Sequence, residues 1–167
     1  MANTSVFTGA DGSITLSAPQ GAQGQAADGV LQEYQLINVG RVQNVQVEVH
    51  SDVRAYHEIG QRYATQLRPG NVTIRGTIGR AFLNGALLKL LLGEAATSRP
   101  ASSWTQPSFN ITLLLENAAQ PGTSSTMTLF EVMVEDWAFG IPEDDFVTEN
   151  ISFQALYMSM ADEAESA

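Results

Sequence analysis

Apolar and polar residues alternate along several stretches of the chain, a pattern typical of half-buried β-strands. In the stretch GRVQNVQVEV at 40–49, valines at every second position are separated by polar residues. Val42 falls on the opposite parity, so we expect a β-bulge near Gln43-Asn44. The same reasoning predicts β-structure over 33–50 and 109–116, and strands at 13–17, 126–138 and 147–158.

The segment 67–94, LRPGNVTIRGTIGRAFLNGALLKLLLGE, combines two kinds of pattern. Proline at the second position of RPGN predicts a turn, and the alternation that follows predicts a strand. A helix is then expected from about Arg80 to Leu92, ending at Gly93. Its leucines cover most of the helix circumference, which favours burial on several sides. Two arrangements would explain this pattern. The helix packs against its own sheet and a neighbouring subunit, or it is a core helix in a monomer.

Two other segments have no regular alternation. Residues 18–29 are rich in Gly, Ala and Gln with one Pro, so we interpret them as a flexible loop. Residues 51–66 approach a helical stripe that Gly60 interrupts, which predicts an extended loop with one helical turn. A long loop in a compact domain is often functional, so a contact between subunits is expected there.

The strand patterns assign residues to faces and define the fold class. Ile111, Leu113 and Leu115 are expected to point inward. On the next strand Phe130, Val132 and Val134 share one face, with Glu131, Met133 and Glu135 opposite. The chain is therefore predicted to be mainly β, a β-sandwich or small barrel of about six or seven antiparallel strands with one flanking helix at about 80–92. Residues 1–160 are predicted to form a single domain, and 161–167 are predicted to be a disordered acidic tail.

Charge is distributed unevenly along the chain. The net charge is −10, yet all eight basic residues lie between Arg41 and Arg99, and eleven acidic residues lie beyond Pro100. A protein that binds nucleic acid tightly needs Lys and Arg, so this charge distribution disfavours tight binding. It remains compatible with nucleic acid that passes along the protein without being bound. Charged residues make up only 16% of the chain. Extensive subunit contacts explain this low share, as does a surface rich in Ser, Thr, Gln and Asn.

The sequence predicts no catalytic, metal or cofactor site. It has no Cys, and its two histidines, His50 and His57, do not form a zinc-protease motif because Gln61 stands where a second His is needed. The acidic run 143–145 lacks the ligand spacing of a calcium loop. Lys89, inside the apolar helix, is expected to extend along apolar surface or to meet an acid on a neighbour. No secretory signal or membrane anchor is recognisable.

The order of these pieces resembles a known family. GRVQNVQVEV, HEIGQRY at 57–63, the segment 67–94, a Trp-bearing strand and IPEDDFVTENISFQALYMS at 141–159 occur in the order found in tail-tube proteins of contractile-tailed bacteriophages and related contractile injection systems. The resemblance implies a non-enzymatic subunit of a virion tail, assembled in the host cytoplasm. Hexameric rings would stack into a hollow tube that conducts the genome through the host envelope after sheath contraction. The implied partners are the chain itself, the tail sheath, baseplate and tail terminator proteins, and genomic DNA in transit without tight binding.

Two sets of candidate residues follow. The first set is expected at subunit interfaces, from the long loop and the apolar helix: Tyr56, Ile59, Tyr63, Leu87 and Leu91. The second set is expected to face the lumen: Glu48, Glu131 and Glu135, with Gln46 and Thr128 as polar neighbours. Carboxylates suit a wall that DNA passes, because basic side chains would hold phosphates.

Two alternative functions remain open. One is the inner tube of a type VI secretion or extracellular contractile injection system, which would carry protein effectors. The other is a β-sandwich carbohydrate-binding module, which would require an exposed aromatic platform; the chain has only two Trp and four Tyr. An enzyme is less compatible, because no acid–base pair with a His or Lys partner is recognisable.

Overall fold

The computed structural model describes residues 6–36 and 38–163. These residues form a mainly β fold with seven strands and two short α-helices. The strands are β1 (Gly12–Ser17), β2 (Val42–Tyr56), β3 (Gln66–Ala81), β4 (Phe109–Glu116), β5 (Ser124–Gly140), β6 (Thr148–Ala155) and β7 (Tyr157–Glu163). The helices are α1 (Ala22–Glu33) and α2 (Ala86–Leu92), and single 3-10 turns lie at Gly9–Asp11 and Gly93–Ala96.

All strand pairs are antiparallel and belong to one sheet that curls into a half-barrel. The strand order is β1-β4-β5-β6-β3-β2, and β7 also pairs with β5. The long strand β5 therefore connects two parts of the sheet. Its first half pairs with β4 and β7, and its second half pairs with β6. The chain passes from β6 to β7 at Leu156, whose N–H donates to the carbonyl of Phe130 at 3.0 Å.

The core lies between one face of the sheet and the two helices. Helix α1 contributes Ala27, Val30 and Leu31, and α2 contributes Ala86, Leu87 and Leu90. The strands contribute large side chains that are buried: Ile74, Ile78, Phe109, Ile111, Leu129, Val132, Val134, Ile151 and Phe153. Because one face of each strand enters this core, the opposite face of the same strands is left for other uses.

The prediction of a flexible loop at 18–29 is wrong, because residues 22–33 form helix α1. Ala and Gln favour helices, and the apolar positions Ala27, Val30 and Leu31 give the helix a face to bury. Gly24 is required rather than destabilising, since a Cβ there would collide with the carbonyl of Pro19. The Gly-rich composition therefore reflected close packing, not flexibility.

The prediction of a loop at 51–66 is wrong for residues 51–56 and for Gln66, which belong to strands. Strand β2 continues to Tyr56 and pairs with β3 as far as Gln66, so only 57–65 form the connecting loop. The predicted turn RPGN lies within β3, where the register shifts opposite Ser51 and Val53. Gly70 is needed at this irregularity, because a Cβ would collide with the carbonyl of Asp52. We call residues 52–68 the hairpin arm, since they extend beyond the last β3–β6 pair at Ile74–Ala155.

The predicted helix at 80–92 is shorter than expected. Arg80 and Ala81 complete β3, and α2 begins only at Ala86, whose N–H donates to the side-chain oxygen of Asn84 at 3.2 Å. The predicted end at Gly93, which has φ of 60°, is confirmed. The strand predicted over 33–50 begins only at Val42, since Glu33 belongs to α1 and Asn38 forms just an isolated bridge with Thr15.

In β2 and β5, β-bulges determine which side chains point to each face of the sheet. The register shift between Val42 and Asn44 confirms the predicted bulge. In β5, the expectation that Phe130 shares a face with Val132 is wrong, because Glu131 adopts φ of 51° and shifts the alternation. Leu129 is buried instead, and the Phe130 ring stacks on Tyr157 with 4.3 Å between centroids. Residues 161–163 of the predicted tail belong to β7, while 164–167 lie outside the described residues.

Candidate functional site

The face of the sheet that points away from the core is polar across β2, β3, β6 and the second half of β5. The antiparallel register aligns its side chains in rows that cross all four strands. One row consists of Gln46, Thr77, Ser152 and Asp136, and the neighbouring row contains Glu48, Arg75 and Gln154. We call this surface the polar face. Its regularity follows from alternation, since the residues between these positions enter the core.

Carboxylates dominate the charge of the polar face. Glu48, Glu135 and Asp136 stand against a single guanidinium, Arg75, and the exposed Glu131 borders the same part of β5. Two of these carboxylates are positioned by β6: Ser152 Oγ donates to Asp136 Oδ2 at 2.9 Å, and Gln154 Nε2 donates to Glu135. These bonds hold the carboxylates in place while leaving them in contact with solvent.

The predicted lumen residues lie at different parts of this surface. Glu48 is exposed on β2, directly across from Arg75. Glu131 and Glu135 are both exposed on β5, and the N–H of Glu131 donates to Asn110 Oδ1 at 3.0 Å. Gln46 is exposed in the same row as Thr77, whereas Thr128 lies in the first half of β5, paired with Thr112 and Ser159. The structure thus places Glu135 beside Gln154, which belongs to the same row as Glu48, and leaves Thr128 in the other half of β5.

The predicted interface residues of the loop all lie on the hairpin arm. Tyr56 is 56% exposed, Ile59 fully exposed and Tyr63 87% exposed. Leu67 and Val53 add further exposed apolar surface to the same arm. Exposed apolar side chains clustered in this way are typical of interaction surfaces, and the assignment of these residues to a subunit interface stays a prediction.

The two predicted interface leucines of α2 differ. Leu87 is 1% exposed and belongs to the core, so it offers no area to another subunit, while Leu91 is half-buried. Lys89, expected to extend along apolar surface or to meet an acid on a neighbour, donates to Glu33 of α1 in the same chain, at 2.9 and 3.1 Å. Its ammonium also lies 4.9 Å from the centre of the Tyr34 ring. The hydrogen bond to Glu33, followed by the effect of Tyr34, raises the pKa of Lys89.

A second apolar surface, which sequence reasoning missed, lies at the opposite end of the sheet from the hairpin arm. Its exposed members are Leu83, Phe139, Ile141 and Phe146, and we call it the end patch. The N–H of Phe82 donates to the carbonyl of Val147 at 2.8 Å, which joins the two chain segments of this end. The sequence signal was two short apolar runs, FL at 82–83 and FGI at 139–141, but knowledge of the strand register was required to bring them together.

A buried polar group supports the end patch from below. Arg80 Nε lies 2.5 Å from Glu149 Oε1, and the two side chains are 1% and 0% exposed. Trp137 Nε1 donates to Glu149 Oε2 at 2.9 Å. The Trp137 ring stacks on Phe139 at 5.6 Å, and Phe139 meets Phe82 edge to face at 4.8 Å. This chain of contacts fixes the orientation of the aromatic residues in the end patch.

Strand β2 forms one edge of the four-stranded part of the sheet. The second half of β5 forms the other edge, where Gln106 Nε2 donates to the carbonyl of Val134 at 3.1 Å. Edge strands present backbone donors and acceptors that are available to another strand.

Among residues 6–36 and 38–163, no group of three His, Asp or Glu side chains is arranged to hold a metal ion, and no helix is long and apolar enough to cross a membrane. A cleft of about 680 Å³ separates β2 from β1 and β4, at the open seam of the half-barrel. Its lining is largely aliphatic, with Ile14, Val45 and Leu113 among its residues.

Comparison with solved structures identifies the fold. A chain of the extracellular contractile injection system PVC, in its sheath/tube terminator in the extended state, matches with a TM-score of 0.63 at 13% identity, covering 96% of this chain and 99% of that one. A chain of the PVC sheath–tube complex matches with a TM-score of 0.63 at 11% identity, over 95% and 93%. The SPP1 tail tube matches with a TM-score of 0.53 at 13% identity, over 97% and 81%. No protein-family model and no curated protein matches the sequence. At these identities the likeness establishes the fold, and it confirms the resemblance predicted from the sequence at that level.

Proposed function

We propose that the chain is the structural subunit of a tail tube, in which hexameric rings stack into a hollow conduit. The observation that carries this proposal is the continuous polar face on a sheet whose other face forms the core, within the fold of tail-tube proteins. A smooth, polar, non-binding wall is what a conduit requires. The role is architectural rather than catalytic.

Ring closure follows from the two edges of the four-stranded sheet. In a closed ring, β2 of one subunit lies beside the second half of β5 of the next, so that both edges are covered. The polar face then lines the lumen, and helices α1 and α2 lie on the outer side, where sheath, baseplate and terminator proteins are the expected partners.

The proposed cargo is the genome of a phage, passed through the lumen without tight binding. Glu48, Glu131, Glu135 and Asp136 outnumber Arg75 on and beside the polar face, and a negative wall repels phosphates. The site of action is then the virion tail, after assembly in the host cytoplasm. A tube that carries protein effectors is the second candidate, because the similar structures with TM-scores of 0.63 come from extracellular contractile injection systems.

The carbohydrate-binding alternative is less compatible with this surface. Sugar recognition requires flat aromatic side chains on an exposed face. The rows of the polar face hold Gln, Thr, Ser, Asp, Glu and Arg side chains instead. The exposed aromatic residues lie on the hairpin arm, in the end patch, and at Trp104 and Tyr157, which are outside the four strands of the polar face.

Electron microscopy and light scattering of the purified protein test the proposed assembly. We expect rings and stacked tubes with sixfold symmetry in negative-stain images, and a mass that rises with concentration in light scattering. A strict monomer at high concentration, which also fails to assemble when sheath or baseplate proteins are added, would contradict the proposal.

Substitution of the lumen carboxylates tests the cargo. The double variant Glu131→Lys, Glu135→Lys should still form tubes but deliver genome more slowly, with the defect easing as salt is raised. The matched control is Glu131→Gln, Glu135→Gln, which removes the same charges without adding cations. Delivery by the lysine variant at the wild-type rate, or both residues on the outer surface of the tube, would refute the lumen assignment.

A further inference from the structure

The core of the subunit is incomplete at the seam beside β2. On the neighbouring strand β3, the inward-facing Ile74 and Ile78 are only 7% and 2% exposed. On β2, by contrast, Val42, Val45 and Val47 face the core but are only half-buried. They line the cleft of about 680 Å³ between β2 and the pair β1–β4. Because protein interiors are normally close-packed, this opening requires a partner that the described residues do not supply.

The lining of the cleft has the chemistry that an indole ring requires. Val45 and Leu113 contribute to its aliphatic walls. Arg41 is an exposed cation among the lining residues, and a guanidinium is attracted to the face of an aromatic ring, most strongly to that of Trp. Gln43 and Asn44 offer amide oxygens to an indole N–H, which needs an acceptor when it is buried.

Trp104 is held at the opposite edge of the same sheet. The N–H of Ser108 donates to a carbonyl of helix α1 at 3.2 Å, and Gln106 Nε2 donates to the carbonyl of Val134 at 3.1 Å. These bonds fix the segment 104–108 beside the second half of β5, the edge of the four-stranded part of the sheet. Trp104 itself is 43% exposed, although tryptophan is highly buried on average.

We propose that Trp104 of one subunit inserts into the cleft of the next subunit in the ring and completes that subunit's core. The inference rests on the proposed ring, in which β2 of one subunit lies beside the second half of β5 of the next. It adds to that ring the side chain that closes the seam. Since each subunit gives one tryptophan and receives one, the contact is head-to-tail and is satisfied in every subunit only when the ring closes.

The strand register places the tryptophan and the cleft at matching positions. The cleft lies beside residues 42–47 of β2, which align through β3 and β6 with residues 134–139 of β5. Gln106 holds the Trp-bearing segment at Val134, the beginning of that stretch. Both features also lie on the core side of the sheet, because the cleft opens between β2 and β4 and the segment is bonded to α1. The polar face is therefore left free.

Removal of the indole tests the energy of the contact. Trp104→Ser should raise the protein concentration at which rings form by at least about tenfold, because buried Trp anchors dominate many interfaces. Trp104→Phe should recover part of this loss. The urea midpoint of the unassembled chain should be unchanged in both variants, since Trp104 is exposed in the single subunit. The matched control is Val6→Ser, which removes an exposed apolar side chain that does not line the cleft.

Cross-linking tests the location of the contact. The chain has no Cys, so Ser103→Cys and Gln43→Cys each introduce a single thiol, one beside Trp104 and one in the lining of the cleft. Rings assembled from a mixture of these two variants should give covalent dimers with a short bis-maleimide. A mixture of Ser103→Cys with Gln32→Cys, whose thiol lies on the exposed side of α1, should not.

Three results would overturn the proposal. The first is ring formation by Trp104→Ser at the wild-type concentration, which would leave the proposed function intact. The second is a lowered urea midpoint of unassembled Trp104→Ser, since Trp104 would then serve the fold of its own chain. The third is rings of the Ser103→Cys and Gln43→Cys mixture that yield no covalent dimer. Wild-type protein that forms no rings at all would overturn the proposed function together with this inference.

Discussion

Removal of the buried carboxylate of Glu149 provides a sharp test of how the end of the sheet is held together. Glu149 accepts from Arg80 Nε at 2.5 Å and from Trp137 Nε1 at 2.9 Å, and its side chain is 0% exposed. In Glu149→Leu, both bonds are lost and the Arg80 guanidinium remains in the core without a counter-ion. Solvent cannot replace the carboxylate, because Arg80 is only 1% exposed.

The expected cost follows from these contacts. Breaking a buried ion pair by removing one partner costs about 3–5 kcal/mol of unfolding free energy. Loss of the hydrogen bond from the Trp137 indole N–H adds little to this cost. Trp137 is half-buried, so its N–H can form a hydrogen bond with water instead. Arg80→Met should cost a similar amount, since it leaves the carboxylate with Trp137 alone. The double variant Arg80→Met, Glu149→Leu removes both charges together, so its cost should be far below the sum of the two single costs.

Urea unfolding of the unassembled chain, followed by circular dichroism, measures these free energies. We expect a coupling energy of at least ~2 kcal/mol between the two positions. Two results would refute the reasoning: single variants that each cost less than ~1 kcal/mol, or a double variant whose cost equals the sum. The first would mean that water reaches the pair, and the second that the two side chains act independently.

Three further predictions concern the helices and the arm. Leu87→Asp should cost several kcal/mol (~3 or more) of unfolding free energy, whereas Leu91→Asp should cost less because that side chain is half-buried; equal urea midpoints would contradict this. Deletion of 53–62 should leave a folded chain that cannot form tubes, and normal tubes from this variant would show that the arm is dispensable. The raised pKa of Lys89 means that its contribution to stability is complete below 10.5, the usual value, and is lost as pH rises through the folded-state pKa. The difference in urea midpoint between wild type and Lys89→Gln should therefore vanish at high pH, and a difference that persists would contradict the prediction.

Regular alternation made much of the fold predictable from the sequence. The strands at 12–17, 109–116 and 124–140, the bulge near Asn44 and the helix end at Gly93 are recognisable in local patterns, because each buried strand has one apolar face. Composition was misleading in helix α1. Its glycine at position 24 indicated flexibility, whereas that position serves a close approach to Pro19.

The hairpin arm and the end patch were harder to predict, for physical reasons. The arm extends beyond the body of the sheet and buries neither face, so its strands carry no clean alternation. The Arg80–Glu149 pair joins residues 69 positions apart in the chain, and the end patch likewise joins two distant chain segments. Such long-range pairs depend on strand register, which one sequence does not specify. The bulge at Glu131 likewise moved Phe130 to the other face, because a single φ of 51° changes the alternation.

The central claim is that the polar face lines the lumen of a ring-shaped tube. A cryo-EM reconstruction of the assembled wild-type protein tests it most directly. We predict a sixfold ring in which β2 of one subunit lies beside β5 of the next, with Gln46, Thr77 and Ser152 pointing toward the axis. A reconstruction that shows no closed ring, or that places these three side chains on the outer surface, would contradict the account.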